Sequence, residues 1–397
     1  MKKIILVLLL FLMLLSGCAG EKKEEEKKEE EPQEEALRVD DLATIHETEF
    51  GGVYLKMGID EFNAAGFAYG DSVDVLFSNG YTIEDIPYYN GYYVDAGETL
   101  LIAYPGYDYI KAAINYGEDL WDEARLKVSQ GSEGLWAKLA LDEHTKASVV
   151  LREKGKYLDV QEASDIHYYD EIERYPDEVT FANFRTVEMG NISAGKVYRS
   201  ASPCDDQHKR AAYVDDLIEE AGVNYILDLA DSDVKIEKYI AGEDFSSDYF
   251  LSLYERDLVC ALALNMNYLS EDFAQKLAYG FTQMAEHDGP YLIHCTEGKD
   301  RTGFVCMLLE ALAGAGYEAI KDDYMKTYDN YYQIREDNEP KKYETILNRN
   351  LEAMLKFLVN DEKTDPHACD LSSYARAYLI KAGMEEEAIG LLLEKIR

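Results

Sequence analysis

A stretch from His294 to Gly303 constrains the fold of this chain more than any other, with the sequence His-Cys-Thr-Glu-Gly-Lys-Asp-Arg-Thr-Gly. It follows a short apolar run, Tyr291 to Ile293, and precedes a segment whose apolar residues recur at helical spacing. The pattern predicts a strand, a tight loop and a helix. The loop's N–H groups and the helix N-terminus would form a concavity that binds anions. The sequence therefore places Cys295 and Arg301 around a predicted anion site.

Cys295 and Arg301 suit an attack on a phosphate ester. Positive potential in such a loop favours the thiolate and lowers its pKa from ~8.5 toward ~3.5–7.5, so that the attacking form dominates at neutral pH. The guanidinium is a planar, two-pronged donor for phosphate oxygens. The alternative, a purely structural cysteine and arginine, requires a chance agreement of strand, loop, helix and both residue types.

The chain around this loop alternates apolar strands with amphipathic helices. Such alternation predicts an α/β domain with a central, mostly parallel sheet flanked by helices. Ligands of such sheets lie at the carboxyl ends of central strands, which is where Cys295 falls. The strands are predicted over Phe181–Arg185, Gly195–Ala201, Val223–Leu229, Leu258–Leu264 and Tyr291–His294. A helical C-terminal extension follows, with helices over Asp322–Tyr332, Tyr343–Val359, Ser372–Ala382 and Glu385–Ile396.

The order Cys, five residues, Arg, Thr is the P-loop signature of the cysteine-based protein tyrosine phosphatases. The Lys-Asp-Arg-Thr-Gly ending most resembles bacterial tyrosine phosphatases that act on phosphotyrosine, other phosphoamino acids and phosphoinositides. Asn183-Phe184-Arg185 and Tyr198-Arg199-Ser200-Ala201 fit the same group. The resemblance covers residues 181–332, or extends to the C-terminus. It implies a phosphatase, with phosphotyrosine protein as the first substrate and a phosphoinositide or an inositol polyphosphate (phytase-like) as the alternative.

The resemblance also implies roles for the loop residues. Cys295 would be the nucleophile that accepts the phosphoryl group. Arg301 and the backbone N–H groups would stabilise the transition state, and Thr302 would hydrogen-bond the departing thiolate. His294 would fix the loop, or would be a core histidine without further role. The remaining residues of the phosphate-binding loop are Thr296, Glu297, Gly298 and Lys299.

The general acid is the least defined role. Many of these enzymes use an aspartate on a mobile loop upstream of the cysteine, but Ala263 to Tyr268 carries asparagines, which cannot donate a proton to a leaving oxygen. In the Lys-Asp-Arg group the loop aspartate is proposed as the acid, which indicates Asp300. The neighbouring Arg301 would lower its pKa, which counts against this choice unless the bound phosphate dianion compensates. Asp228 is the second candidate, as acid or orienting group, or it caps the following turn.

Lys299 and Glu297 bear on the substrate. In lipid phosphatases of similar signature, a lysine at the position of Lys299 meets another ring phosphate, whereas Glu297 would repel a polyphosphorylated inositol. This balance favours phosphotyrosine. The chemistry requires no cofactor and no metal. A hypothesis of another class is a surface lipoprotein that binds phosphorylated ligands without turnover.

The N-terminal residues predict export. Lys2 and Lys3 precede an apolar run, Ile4 to Leu15, which is typical of a signal peptide (residues 1–18). The Leu-Ser-Gly-Cys junction resembles a bacterial lipoprotein cleavage box, which implies lipidation of Cys18 and a membrane anchor on the outer face of the cell. Residues 19–41, rich in Glu and Lys, read as a solvated tether or an inert tail. The formal charge of −38 argues against a nucleic-acid partner.

Residues 42–150 are predicted to form a β-rich accessory domain, joined by a connector (151–180) to the catalytic domain (181–397). The Phe-Gly start, a Gly-Asp-x-Val turn and the segment Ala112 to Gly117 weakly resemble the β-barrel domain of the S-adenosylmethionine hydroxide adenosyltransferases. A helix is expected over Tyr107–Gly117. Tyrosine pairs such as Tyr92-Tyr93 fit either a surface platform for glycans or peptides, or half-buried packing.

Overall fold

Seven strands form a closed barrel near the N-terminal end of the residues that the structure describes. The computed structural model describes residues 37–48, 51–95, 97–115, 118–124 and 140–397. The strands are β1 (Arg38–His46), β2 (Val53–Leu55), β3 (Ser72–Phe77), β4 (Thr82–Tyr89), β5 (Thr99–Ile102), β6 (Ile110–Ile114) and β7 (Lys146–Glu153). Their order around the barrel is β1-β2-β6-β5-β4-β3-β7. The β-rich accessory domain predicted from the sequence is thus a barrel.

Two sequence predictions concern the start of the chain. The signal peptide with Cys18, and residues 19–36 of the tether, lie outside the described residues. Residues 38–41, which the sequence analysis assigned to the tether, form part of β1 instead. The strand extends this far because its register with β7 continues to Arg38, which pairs with Val150.

Alternate side chains of the strands fill the barrel, as the two-residue period of a strand requires. Val73, Val75 and Phe77 of β3 are all buried in its core, and Phe62 of helix α1 (Ile59–Ala64) joins them. A short helix, α2 (Leu120–Glu123), also packs here through Leu120.

The helix expected over Tyr107–Gly117 is wrong, because the structure places strand β6 there. Its alanines favour a helix locally, but β6 pairs with both β2 and β5 and so completes the barrel. Gly52 approaches β6 so closely that a Cβ on it would lie 2.8 Å from the carbonyl oxygen of Ala112. Tertiary pairing therefore overrides the local preference of this segment.

The connector joins the barrel to the rest of the chain through helix α3 (Leu158–Ser164), a 3-10 turn (Ile172–Arg174) and helix α4 (Glu178–Phe181). Gln161 of α3 makes a two-way hydrogen bond with Asn90 of the barrel: its Nε2 donates to Asn90 Oδ1 at 2.7 Å, and its Oε1 accepts from Asn90 N at 3.3 Å. The barrel and the C-terminal part belong to one compact unit, Leu37–Arg397.

The C-terminal part contains a five-stranded sheet with the order β11-β10-β12-β9-β8. The strands are β8 (Arg185–Thr186), β9 (Val197–Ser200), β10 (Tyr225–Asp228), β11 (Val259–Ala261) and β12 (Tyr291–His294). Strands β9 to β12 run parallel, and β8 is antiparallel to β9. The central position belongs to β12, which leads directly into the signature loop.

Helices cover both faces of this sheet. Successive strand residues point to opposite faces, so each strand contributes side chains to both cores. Ile226 and Leu292 pack into a core with α5 (Ala211–Glu220), α6 (Asp233–Ile240) and α7 (Asp248–Tyr254). Leu227 and Ile293 pack into the other core, with α8 (Glu271–Glu286) and α9 (Asp300–Leu312). Helix α9 is buried along its whole length after Arg301, which makes it the central helix of the domain.

Five further helices complete the chain: α10 (Tyr317–Tyr332), α11 (Pro340–Arg349), α12 (Leu351–Val359), α13 (Leu371–Lys381) and α14 (Glu386–Lys395). The single helix predicted over Tyr343–Val359 is two helices, since the backbone breaks at Asn350 (φ −105°, ψ −75°). Asn350 donates to the hydroxyl of Tyr328 at 2.8 Å, which fixes the break against α10. Among the described residues, no helix is both long and apolar enough to span a membrane.

Candidate active site

The signature loop lies between the end of β12 and the first turn of α9, with Cys295 directly after the strand. Gly298 in this loop has a φ of +68°, and a Cβ on it would lie 2.2 Å from the carbonyl oxygen of Ser200. Glycine is therefore required at this position both for its backbone conformation and for space. Cys295 itself is 3% exposed.

The carbonyl groups of the loop are turned toward the protein and bound there. Ser202 N donates to the oxygen of Thr296 at 3.1 Å. Arg199 Nη2 donates to the oxygen of Gly298 at 3.0 Å, and Asn183 Nδ2 donates to that of Glu297 at 3.3 Å. Within the described residues, the N–H groups of residues 296–301 donate to no main-chain or side-chain acceptor. Such a run of free N–H groups at a helix N-terminus binds anions.

A buried cluster of charges holds the loop from behind. Arg185 Nε donates to Asp323 Oδ1 at 2.7 Å, and Arg199 bonds the other carboxylate oxygen. Burial alone would raise the pKa of Asp323, but Arg185 and Arg199 outweigh it and lower that pKa. We call this the anchor cluster; its members are Arg185, Arg199, Asp323 and Glu310.

Glu310 has the opposite protonation preference to Asp323. Burial raises its pKa well above the usual range, and the negative charge of Asp323 adds to this shift. The sequence analysis noted the Asn-Phe-Arg and Tyr-Arg-Ser-Ala elements but missed Asp323 and Glu310. The available signal was Glu310 itself, a charged residue within the apolar run Met-Leu-Leu-Glu-Ala-Leu of α9.

Arg301 lies on the first turn of α9 and retains unused donor capacity. Its Nη1 donates to the carbonyl oxygen of Leu264 at 3.1 Å, and its Nη2 approaches Thr296 Oγ1 at 3.5 Å. Its buried Nε has no hydrogen-bond partner among the described residues. A buried donor without a partner is costly, so this geometry fits an oxyanion that would bind Arg301.

Lys299 does not present a free positive charge. Its Nζ lies 3.1 Å from Glu297 Oε2 and donates to Tyr332 Oη at 3.0 Å, while that hydroxyl donates to Glu297. Burial alone would lower the pKa of Lys299 and raise that of Glu297, but their mutual attraction helps shift both the other way. The pair is therefore ionised and largely neutralised. With Asp300 and Arg301, these two residues form what we call the cleft cluster.

Asp300 combines exposure to the cleft with a raised pKa. Its side chain is 41% exposed, and its carboxylate lies 3.7 Å from Lys299 Nζ. Burial raises the pKa of Asp300, Glu297 adds to the rise, and Lys299 and Arg301 oppose it. Arg301 does lower this pKa, as the sequence led us to expect, but burial and Glu297 outweigh it, so the net shift is upward.

Asp228, His294 and Thr302 are buried beside the loop. Asp228 Oδ1 accepts the N–H groups of Ala230 and Asp231 at 2.9 and 3.0 Å, so it caps the turn after β10. Its Oδ2 lies 3.8 Å from His294 Nε2. The imidazole nitrogens of His294 and the hydroxyl of Thr302 have no hydrogen-bond partner in the described part of the chain.

The loop from Ala263 to Tyr268, where the sequence analysis found no carboxylate, has a structural role. Asn265 Oδ1 accepts the N–H of Asn267 at 2.9 Å, and Asn267 Oδ1 accepts that of Leu269 at 3.1 Å. The asparagines thus stabilise turns, and the carbonyl of Leu264 holds Arg301.

One buried group within the described residues could offer three ligands to a metal: Cys204, Asp228 and Asp231, whose ligand atoms lie within 4.8 Å of one another. Lys235 Nζ lies 2.6 Å from Asp231 Oδ1 and already compensates that charge. The ion pair and the turn cap account for the Oδ1 atoms of the two aspartates, whereas their buried Oδ2 atoms have no hydrogen-bond partner among the described residues.

A cleft of about 470 Å³ reaches the loop at Asp300 and Arg301. This volume falls in the range of ~300–1,000 Å³ that is usual for ligand sites. Its walls come from the barrel, from the 266–269 loop and from helices α9 to α12. Cys295 is not among the lining residues and lies deeper in the protein.

A cysteine and an arginine around free N–H groups, at the end of a central strand, form the arrangement that cysteine-dependent phosphate chemistry requires. The sequence profile described as the tyrosine phosphatase family matches residues 180–389, just over half of the 397 residues, and the chain belongs to this family. Family membership supports a phosphatase activity. A search of curated proteins finds no match.

Proposed function

We propose that this chain hydrolyses phosphate monoesters through a cysteinyl-phosphate intermediate and that its substrates are phosphotyrosine proteins. The thiolate of Cys295 attacks phosphorus, the S–P bond forms, and the bond from phosphorus to the tyrosine oxygen breaks. Asp300 gives its proton to that leaving oxygen. Arg301 and the loop N–H groups stabilise the equatorial oxygens throughout.

The second half returns the enzyme to its starting state. Water attacks phosphorus, Asp300 takes the proton from that water, and the S–P bond breaks to release phosphate. Thr302 donates to the departing sulfur, and His294 with Asp228 positions the start of the loop. The single observation that carries this mechanism is the row of free N–H groups with the unpartnered Nε of Arg301 in the described structure.

Hydrolysis of p-nitrophenyl phosphate tests the mechanism. We expect turnover by wild type, none by Cys295→Ser, and a phosphorylated cysteine after rapid acid quench of wild type. An inactive wild type that still binds phosphate would instead support a phospho-ligand-binding lipoprotein and would sink the enzyme proposal.

The state of Lys299 favours phosphotyrosine over a phosphoinositide or an inositol polyphosphate. A second ring phosphate needs a free cation, whereas Lys299 is already paired with Glu297 at 3.1 Å. A panel of phosphotyrosine peptide, phosphoserine peptide, phosphoinositide vesicles and phytate measures this preference. Higher kcat/KM on phytate than on phosphotyrosine peptide would contradict the assignment.

We also propose that the chain is a lipoprotein, anchored through Cys18 to the outer face of a bacterial membrane. The motif around Cys18 supports this location. Fractionation of cells that express wild type or Cys18→Ala tests it, because the variant should leave the membrane fraction and lose labelled fatty acid.

A further inference from the structure

One wall of the active-site cleft belongs to the barrel and not to the family domain. Tyr92, Tyr93, Val94 and Asp95, between β4 and β5, line the same cleft as Asp300 and Arg301. The family match begins at residue 180, so family membership does not explain this wall. We call residues 90–95 the barrel wall.

The barrel wall is held in place by specific contacts. Arg349 of α11 donates to the carbonyl oxygen of Tyr93 at 2.7 Å and lies 3.5 Å from Asp95. The ring of Tyr93 folds back over Gly91, where a Cβ would lie 2.4 Å from its Cζ. Asn90 is bound to Gln161 of the connector. These contacts fix the wall before any substrate arrives, and prior order lowers the cost of binding.

The barrel wall also lies within electrostatic reach of the signature loop. Burial raises the pKa of Tyr93, and the positive charge of Lys299 opposes that rise. Across the cleft, burial also raises the pKa of Tyr268, and the negative charge of Asp95 adds to that rise. Because the barrel wall lines the same cleft as Asp300 and Arg301, the wall and these two loop residues face one ligand space.

The lining of the cleft suits an aromatic phosphomonoester within a polypeptide. Met266 and Leu269 are 40% and 47% exposed, and Tyr93, Tyr268 and Phe357 also line the cleft. Among its described lining residues, Arg301 and Arg349 are the cations, and Arg349 is already bound. Arg301 is therefore the cation of this described lining that remains for a phosphate, and it lies beside an apolar surface. Its volume exceeds that of a tyrosine side chain and leaves room for neighbouring residues.

We propose that the barrel wall is a specificity determinant, which binds the polypeptide on either side of the phosphotyrosine. This inference rests on the proposed function. It predicts that the wall contributes to kcat/KM for phosphotyrosine peptides, while a small aryl phosphate, too short to reach it, is hydrolysed without its help.

The test compares full-length wild type with Tyr93→Ala on a phosphotyrosine peptide and on p-nitrophenyl phosphate. We expect kcat/KM for the peptide to fall about tenfold, which corresponds to about 1.4 kcal/mol of transition-state binding. The rate on p-nitrophenyl phosphate should stay within about twofold. Tyr81→Ala is the matched control, because Tyr81 is also a half-buried tyrosine of the barrel but lies outside the cleft.

Asp95→Lys provides a second test in case Tyr93→Ala fails to fold. The Asp95 side chain is 72% exposed, so its replacement should not disturb the fold. This variant should raise the ratio of kcat/KM for acidic-flanked over basic-flanked phosphotyrosine peptides by about threefold, within the range of exposed charge pairs. Equal losses of kcat/KM on the peptide and on the small substrate, or no change with either variant, would overturn the role proposed for the barrel wall. Neither result would overturn the proposed phosphatase function. A wild type inactive on both substrates would overturn the proposed function and this inference with it.

Discussion

The anchor cluster binds the signature loop, whereas the cleft cluster consists of residues of that loop itself, and the two clusters use arginine and carboxylate groups differently. In the anchor cluster, Asp323 is shared by Arg185 and Arg199, and Arg199 also binds the carbonyl of Gly298. In the cleft cluster, Arg301 keeps a buried Nε without a partner among the described residues. Arg199 Nε also lacks a hydrogen-bond partner there, but both arginines of the anchor cluster are paired with the carboxylate of Asp323. Arg301 makes no ion pair with the described residues, so its charge is the one left for a substrate.

The two aspartates show the same contrast through their pKa values. The pKa of Asp323 is lowered, since two arginines outweigh its burial. That of Asp300 is raised, because burial and Glu297 outweigh Lys299 and Arg301. A carboxyl group that faces a cleft and holds its proton to higher pH than an ordinary aspartate is suited to acid catalysis. Neighbouring positive charge alone therefore does not decide whether an aspartate in this site is ionised, because burial can outweigh it.

Arg301→Ala should give the largest effect on catalysis. Loss of the guanidinium removes transition-state charge stabilisation, and we expect kcat/KM to fall by about 10³–10⁵, as for arginines in other phosphoryl transfers. The free energy of unfolding should change little, since Arg301 satisfies few protein groups. Steady-state kinetics and urea unfolding measure the two quantities. A large loss in the free energy of unfolding with only a modest loss in kcat/KM would instead assign Arg301 a structural role.

Asp300→Asn should act through the leaving group. We expect a loss of about 10²–10⁴ on phenyl phosphate, whose leaving group needs a proton, and a smaller loss on p-nitrophenyl phosphate. Because the pKa of Asp300 is raised, its acid form persists to higher pH than in an ordinary aspartate. The wild-type rate should fall as pH rises through that pKa, and the variant should lack this limb. Equal losses on both substrates would show that another group is the general acid. Asp228→Asn, measured on the same two substrates, tests the second candidate.

Asp323→Asn should destabilise the fold before it alters the chemistry. It leaves two buried arginines poorly compensated, and we expect a loss of about 3–5 kcal/mol in the free energy of unfolding. Because the folded pKa is lowered, this stabilisation is present above the ordinary value of ~3.9 and is lost as pH falls through the folded pKa. Urea unfolding at several pH values measures it. Asp329→Asn is the control, because Asp329 is only partly buried and pairs with Lys326 and Arg335 near the surface.

The signature stretch predicted the family and an α/β domain because its chemistry is local. Strand, loop and helix are contiguous in sequence, so spacing alone placed Cys295 and Arg301 together. The roles of the loop residues remain predictions. Asp323 and Glu310 were missed because their partners, Arg185 and Arg199, lie more than a hundred residues away along the chain.

The barrel was predicted only as a β-rich domain, for a related reason. Strand β6 closes it through pairing with β2 and β5, and its alanines indicate a helix until those partners are present. The barrel wall could not be predicted at all. Tyr93 lines the same cleft as Asp300 and is held there by Arg349, and no local pattern connects these three residues.

Glu310→Gln should have the smallest effect and so refines the comparison within the anchor cluster. Burial and the charge of Asp323 raise the pKa of Glu310 well above its usual range, which favours the protonated, neutral side chain. Glutamine keeps its shape and neutrality, and we expect a change within about 1 kcal/mol in the free energy of unfolding. Asp323→Asn, the same type of change at a neighbouring carboxyl group that is ionised, should cost several times more. If both substitutions lower the free energy of unfolding equally, the two carboxyl groups do not differ in charge. The contrast between an ionised and a protonated acid would then not hold within the anchor cluster.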